Sequence, residues 1–226
     1  MRSFPVALSL AAVSLTIACA TRVRTSTPHP VSPTVPVAFG VRVAEQYRVA
    51  AITSRRFTHE TYWRAVEPSI SSGALRSEEV GRSLQGRPIR AVTFGTGRTT
   101  VLLWSQMHGD EATATMALAD VFRFLAEAST DPVRERLRER LTIVFVPMLN
   151  PDGAELFQRE NATGIDINRD ARQLATPEAR TLKSLRDRIR PDFGFNLHDQ
   201  SARVLAGPRG RQVAIALLAP PSGVDR

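Results

Sequence analysis

Apolar positions in this chain fall into two kinds of run. Thr99–Ser105, Leu141–Val146 and Phe193–Leu197 are short and nearly continuously apolar, the pattern of strands covered on both faces. Within residues 111–127, by contrast, Ala114, Leu118, Val121, Phe122 and Leu125 recur at helical spacing, which predicts an amphipathic helix. Residues 78–89 read as a strand, a glycine turn and a second strand. That second strand continues through residues 90–95 and turns at Gly95 and Gly97. Asp131 and Pro132 restart a short charged helix. A longer helix is predicted over Pro177–Ile189, with Thr176 as N-cap and Pro177 at the first helical position. Residues 213–218 predict one more strand. Strands alternating with helices imply an α/β fold with a mixed, largely parallel central sheet flanked by helices. Ligands of such sheets bind beyond the carboxyl ends of strands, where both His108 and His198 fall.

The first forty residues do not share this pattern. Arg2 followed by an apolar stretch over residues 4–18 reads as a signal peptide, too short for a stable membrane span. Cys19, the single cysteine of the chain, sits where a lipobox would be cleaved and lipidated, although Thr16 replaces the usual Leu or Val. The expectation is export to the cell envelope or periplasm, with a lipid anchor at Cys19 as the one membrane attachment. Residues 20–40 are rich in Pro, Ser and Thr and read as an extended linker, in which His29 has no assigned role. The folded domain is expected over residues 41–226.

Composition narrows the function class. The chain has 226 residues, 42% of them hydrophobic, enough for one domain with a substantial core. Its net charge of +8 is almost entirely arginine, with Lys183 the one lysine. The arginines alternate with acids, as in residues 134–140, which suits solvated helix faces. There is no basic stripe interleaved with aromatic residues, so nucleic acid is not an expected partner.

Four motifs carry the chemistry. His108 and Glu111 form an H-x-x-E pair after the first buried run, and His198 follows the last. Two histidines and a glutamate are a known ligand set for catalytic zinc. Between them lie Asn150-Pro151-Asp152-Gly153 and Gly164-Ile165-Asp166-Ile167-Asn168-Arg169-Asp170. In this order, the motifs resemble those of the M14 family of zinc carboxypeptidases, over roughly residues 75–220. The resemblance implies one zinc ion held by His108, Glu111 and His198. It implies that Asp166 orients the first histidine, since such partners fix ring position and tautomer. Arg159 would polarise the scissile carbonyl and stabilise the oxyanion. Asn168 and Arg169 would grip the C-terminal carboxylate of a peptide substrate, for which a guanidinium fork is suited. The implied reaction is hydrolysis of a C-terminal bond of peptides or cell-wall peptides by a zinc-activated water.

The chain also departs from the family pattern. The family places its catalytic base, a glutamate, and a nearby tyrosine well after the last histidine. Here no glutamate follows Glu178 and no tyrosine follows Tyr62. The domain is therefore expected to be incomplete at its C-terminus, with the catalytic base missing from this chain and turnover impaired. Asp170 stands where the family commonly has Asn. It reads either as a helix N-cap or as a carboxylate that partly neutralises Arg169. Two further readings stay open. One is an amidohydrolase of N-acyl amino acids, like the succinylglutamate desuccinylase and aspartoacylase relatives. The other is a non-catalytic, lipid-anchored module that binds zinc or peptide.

Overall fold

The structure is a computed structural model that describes residues 37–199 and the short strands at residues 205–206 and 211–212. The proposed signal peptide with Cys19, most of the linker with His29, and the strand expected at 213–218 lie outside the described residues.

Five strands form the central sheet: β1 (Leu75–Arg82), β2 (Pro88–Phe94), β3 (Thr99–Ser105), β4 (Leu141–Val146) and β5 (Phe193–Leu197). Their spatial order is β1-β2-β4-β3-β5. β2 runs antiparallel to both β1 and β4, whereas β3 is parallel to β4 and to β5. The sheet is thus mixed, and β2 alone opposes the direction of the other strands. Strands β3, β4 and β5 match the apolar runs residue for residue. β3 and β4 lie inside the sheet and carry apolar side chains on both faces. β5 is the edge strand among the described residues, with Phe193 57% and Phe195 47% exposed, so it is not covered on both faces as its apolar run implied. A separate two-stranded ribbon pairs β6 (Leu205–Ala206) with β7 (Arg211–Gln212).

Alternation along β4 divides the core into two layers. Ile143 and Phe145 join Val92, Phe94, Leu118 and Phe122 on one face. Val144 and Val146 join Ile89, Leu102, Ile167 and Leu185 on the other. The first face is covered by α1 (Val37–Gln46), α2 (His59–Ile70) and α3 (Thr113–Ala126), with α4 (Pro132–Arg140) leading into β4; the second is covered by α6 (Pro177–Ile189). Phe122 meets Phe145 edge-on at 5.3 Å between ring centroids. No helix among the described residues is long and apolar enough to cross a membrane.

Helix ends follow the sequence signals. Thr176 caps α6 by accepting from the Ala179 N–H, and Asp131 caps α4 by accepting from Val133 and Arg134. Asp170 is buried and holds the α6 cap from behind, accepting from the N–H groups of Ala175 and Thr176 and from the Thr176 hydroxyl. Its carboxylate is therefore committed to the start of α6, though Thr176 is the cap itself.

Three elements differ from the sequence reading. Helix α1 begins at Val37, inside the stretch read as linker, and α2 was not anticipated; both pack on α3, and α2 is also N-capped by Thr58, which accepts from the Thr61 N–H. The N-P-D-G segment, which alone reads as a turn, opens α5 (Pro151–Leu156), with Asn150 as N-cap accepting from the Gly153 N–H. Arg134, read as part of a solvated face, is buried and donates to the carbonyls of Phe124 and Ser129. Its guanidinium ties the last turn of α3 to the loop that follows it, through one carbonyl of each.

Candidate active site

The site forms where three parallel strands end side by side. Ser105 at the end of β3 is in register with Leu197 at the end of β5, and Trp104 with Val146 of β4. His108, Asn150 and His198 follow these strands and so emerge at one edge. The β3 and β4 extensions stay paired, with Leu149 N–H donating to the Ser105 carbonyl and Asn150 N–H to the Gln106 carbonyl. Ser105 and Thr115 both donate their hydroxyls to the Pro147 carbonyl at 2.7 Å, which fixes α3 against this edge.

The turn that carries His108 requires a close approach of backbones. A Cβ on Gly109 would lie 2.1 Å from the Gly153 carbonyl carbon, so the H-G-D-E turn packs directly on the N-P-D-G helix start. Gly109 N–H donates to the Arg159 carbonyl, and Asn150 Nδ2 donates to the same oxygen, each at 3.3 Å. The N-P-D-G motif thereby buttresses the His108 turn and anchors the backbone of Arg159. Asn161, fully buried, accepts from the Thr163 N–H and hydroxyl and the Ile165 N–H, shaping the loop that presents Asp166.

His108, Glu111 and His198 converge. Their ligand atoms all lie within 4.8 Å of one another. His108 Nδ1 stands 2.9 Å from Glu111 Oε1, and His198 Nδ1 stands 2.7 Å from Glu111 Oε2. On its far side, His108 Nε2 stands 3.0 Å from Asp166 Oδ1. Both ring nitrogens of His108 therefore face carboxylate oxygens. A neutral imidazole has one donor and one acceptor nitrogen, so one of these contacts needs a cation between the two atoms, a proton or a metal. With Nε2–H donating to Asp166, the Nδ1 lone pair is left facing Glu111 and His198.

Arg159 closes the arrangement. Its Nη1 donates to Glu111 Oε1 at 3.2 Å, while Nε and Nη2 donate to Asp166 Oδ2 at 3.2 and 3.0 Å. Burial works to raise the Glu111 pKa, but the hydrogen bond from His198 and the charge of both histidines outweigh it, so the carboxyl sits below its usual value. Asp166 behaves alike: burial raises it, and the hydrogen bonds from His108 and Arg159 hold it low. Both are ionised at neutral pH and available to a cation.

Asn168 and Arg169 lie on a 3-10 turn, Ile167–Arg169, capped by Asp166, whose Oδ1 accepts from the Asn168 N–H. Asn168 lines a cavity of about 420 Å³ together with Trp104, Asn196 and Leu182. Its side-chain oxygen accepts from Asn196 Nδ2 at 3.4 Å. Arg169 is exposed; its N–H donates to the Asp166 carbonyl, while its guanidinium has no hydrogen-bond partner among the described residues. All seven residues singled out from the sequence thus lie on the loops at or beside this strand edge, five of them in mutual contact. Sequence reasoning missed Arg55, which donates to Asp199 and to the Asp110 carbonyl. It also missed the backbone contact of Gly109 with Gly153, for which the two glycines were the one available signal.

The chain also matches a known family. The zinc carboxypeptidase family, Peptidase M14, matches residues 60–204, and the chain belongs to it. Probable carboxypeptidase 2 of Arthroderma benhamiae is 32% identical over 109 residues, covering 47% of this chain and 20% of its own length. Among solved structures, the metallo-carboxypeptidase of Burkholderia cenocepacia aligns with a TM-score of 0.59 at 25% identity, covering 64% of this chain and 41% of that one. A Pseudomonas aeruginosa metallo-carboxypeptidase, solved in complex with (2-guanidinoethylmercapto)succinic acid, aligns with a TM-score of 0.58 at 25% identity over 64% of this chain and 40% of its own. The chain spans about a fifth of the length of the fungal carboxypeptidases it matches and about 40% of the bacterial ones.

Proposed function

We propose that the chain is a zinc-dependent carboxypeptidase that hydrolyses the C-terminal bond of peptides or cell-wall peptides. The observation that carries this reading is His108, placed between the carboxylates of Glu111 and Asp166 so that one of its two contacts calls for a cation. The donor set suits zinc, which favours two nitrogens and a carboxylate oxygen with one position left open. His108 and His198 would ligate through Nδ1, and Glu111 through its carboxylate. Zinc held there would supply Lewis acidity toward a carbonyl oxygen and water.

The remaining roles belong to the chain's own side chains. Asp166 holds the His108 ring and keeps the proton on Nε2. Arg159, fixed by Asp166, directs positive charge to the same edge, where an oxyanion would develop. Asn168 and Arg169 grip a terminal carboxylate; the exposed guanidinium of Arg169 is open to a substrate. The Pseudomonas relative was solved in complex with a dicarboxylic acid, (2-guanidinoethylmercapto)succinic acid, which is consistent with a carboxylate-bearing ligand. Glu111 and Asp166 are engaged with the histidines and Arg159, so neither is the base that receives the water's proton. We further read the protein as exported and lipid-anchored through Cys19, on the strength of its N-terminal sequence.

The test is a substrate panel with the zinc-loaded protein. N-blocked peptides ending in a free carboxylate should be cleaved, or bound competitively, while the same peptides with amidated C-termini should not. Turnover of N-acyl amino acids in preference to peptides would replace this reading with the amidohydrolase one.

A further inference from the structure

Helix α3 starts after Ala112, which has no side-chain acceptor, and the helix lacks a side-chain cap of its own. An uncapped start leaves N–H groups unpaired. Here the acceptor comes from the far end of the described chain. Asp199 accepts from the Thr113 N–H at 3.1 Å through Oδ1 and from the Thr113 hydroxyl at 2.9 Å through Oδ2. Arg55 donates to that same Oδ2, and also to the Asp110 carbonyl at 3.0 Å. The N–H of Asp199 donates to Glu111 Oε2 at 3.2 Å, the oxygen that also faces His198.

Asp199 therefore joins three separated pieces: the segment before α2, the start of α3 with Glu111, and the end of β5 with His198. The two histidines differ in what holds them. His108 is 2% exposed and backed by Asp166, whereas the His198 side chain is 30% exposed and its Nε2 has no partner among the described residues. The His198 ring touches only Glu111, through Nδ1, and the His108 ring, 4.8 Å away between centroids, both members of the same cluster. The hold from outside the cluster comes through the next residue, Asp199.

We propose that Asp199 is a positioning residue for the metal centre, clamping the His198-bearing strand end onto the N-terminus of α3. The clamp holds His198 and Glu111 at ligand spacing before an ion arrives. Negative charge at a helix start is also favourable in itself. Arg55 braces the clamp from a segment that lies outside residues 60–204, the part matched by the family. The inference rests on the metal-centre reading above.

The test is the zinc dissociation constant of the full chain, measured by competition with a chromogenic chelator, alongside Tm of the metal-free protein. Asp199→Ala is expected to weaken zinc binding by about tenfold or more, as loss of a supporting contact does at such sites. Asp199→Asn keeps an acceptor for Thr113 but loses the charge facing Arg55, and is expected to weaken binding only about threefold. Substituting cobalt for zinc should give an altered d–d spectrum in Asp199→Ala and a near wild-type spectrum in Asp199→Asn. A merely structural role would lower the metal-free Tm and leave zinc affinity and the cobalt spectrum unchanged, which overturns the inference. Should Asp199→Ala fail to fold, the Asn variant decides, and unchanged affinity there overturns it. Wild-type protein that binds no zinc overturns the metal-centre reading and the clamp together. Equal binding by wild type and Asp199→Ala overturns the clamp alone.

Discussion

Gly109 and Gly153 are in backbone contact: a Cβ on the first would lie 2.1 Å from the carbonyl carbon of the second. One glycine follows His108 and the other ends the N-P-D-G segment, so the turn that carries His108 and the α5 start share one tight seat. Gly109→Ala has no flexible side chain to push aside, because the nearest atoms are all backbone. The variant should lose about 3 kcal/mol of stability and displace His108. Urea denaturation with a parallel zinc titration checks both effects.

His198→Ala should reduce bound zinc from about one ion per chain to near zero after dialysis. Elemental analysis of wild type and variant measures this directly. Equal zinc in the two proteins would remove His198 from the ligand set.

Arg159→Ala should leave zinc content intact and lower kcat by about 10²- to 10³-fold on any peptide that the wild type cleaves. Arg159 touches Glu111 and Asp166 without being a ligand, so metal content and turnover should separate. A variant with wild-type kcat would show that its charge does not reach the oxyanion.

Arg169→Ala should raise KM for peptides with a free C-terminal carboxylate while changing kcat little, since a grip on a distant group is made equally in ground and transition states. Steady-state kinetics on such peptides provide the check, and a loss confined to kcat would contradict the assignment.

Asp170 links stability to pH. Burial raises its pKa, but the N–H groups and hydroxyl of residues 175–176 outweigh that, and the folded-state value is lowered. A lowered value means that its stabilisation is fully present above the unfolded-state pKa of about 3.9. It is lost as pH falls through the folded-state value. Asp170→Asn should therefore be destabilised at pH 7 by roughly 1–3 kcal/mol, and the gap to wild type should narrow toward pH 3. Urea midpoints at the two pH values test the sign.

Element positions were legible in the sequence where local pattern decides them. β3, β4, β5 and α6 have the bounds that their apolar runs and the Thr176-Pro177 signal imply, because side-chain period and capping chemistry act over a few residues. The residue types and order of H-x-x-E, N-P-D-G, the Asp166–Arg169 segment and His198 likewise pointed to one site. α1 and α2 were not legible, since their stability comes from packing on α3 rather than from propensity. Nor was the burial of Arg134, which depends on where the end of α3 lies.

The amino-acid sequence by itself determined the strands β3, β4 and β5, the helix α6, and which side chains could hold a metal. Only the tertiary structure decided that those side chains meet. The parallel pairing of β3 with both β4 and β5 brings three strand ends together. The Gly109–Gly153 contact sets the turn between two of them. The Asp199 carboxylate reaches residues 86 and 144 positions away to secure the third. Contacts over such separations have no signature in local periodicity, because the entropy of closing loops of that length is repaid by the assembled core as a whole.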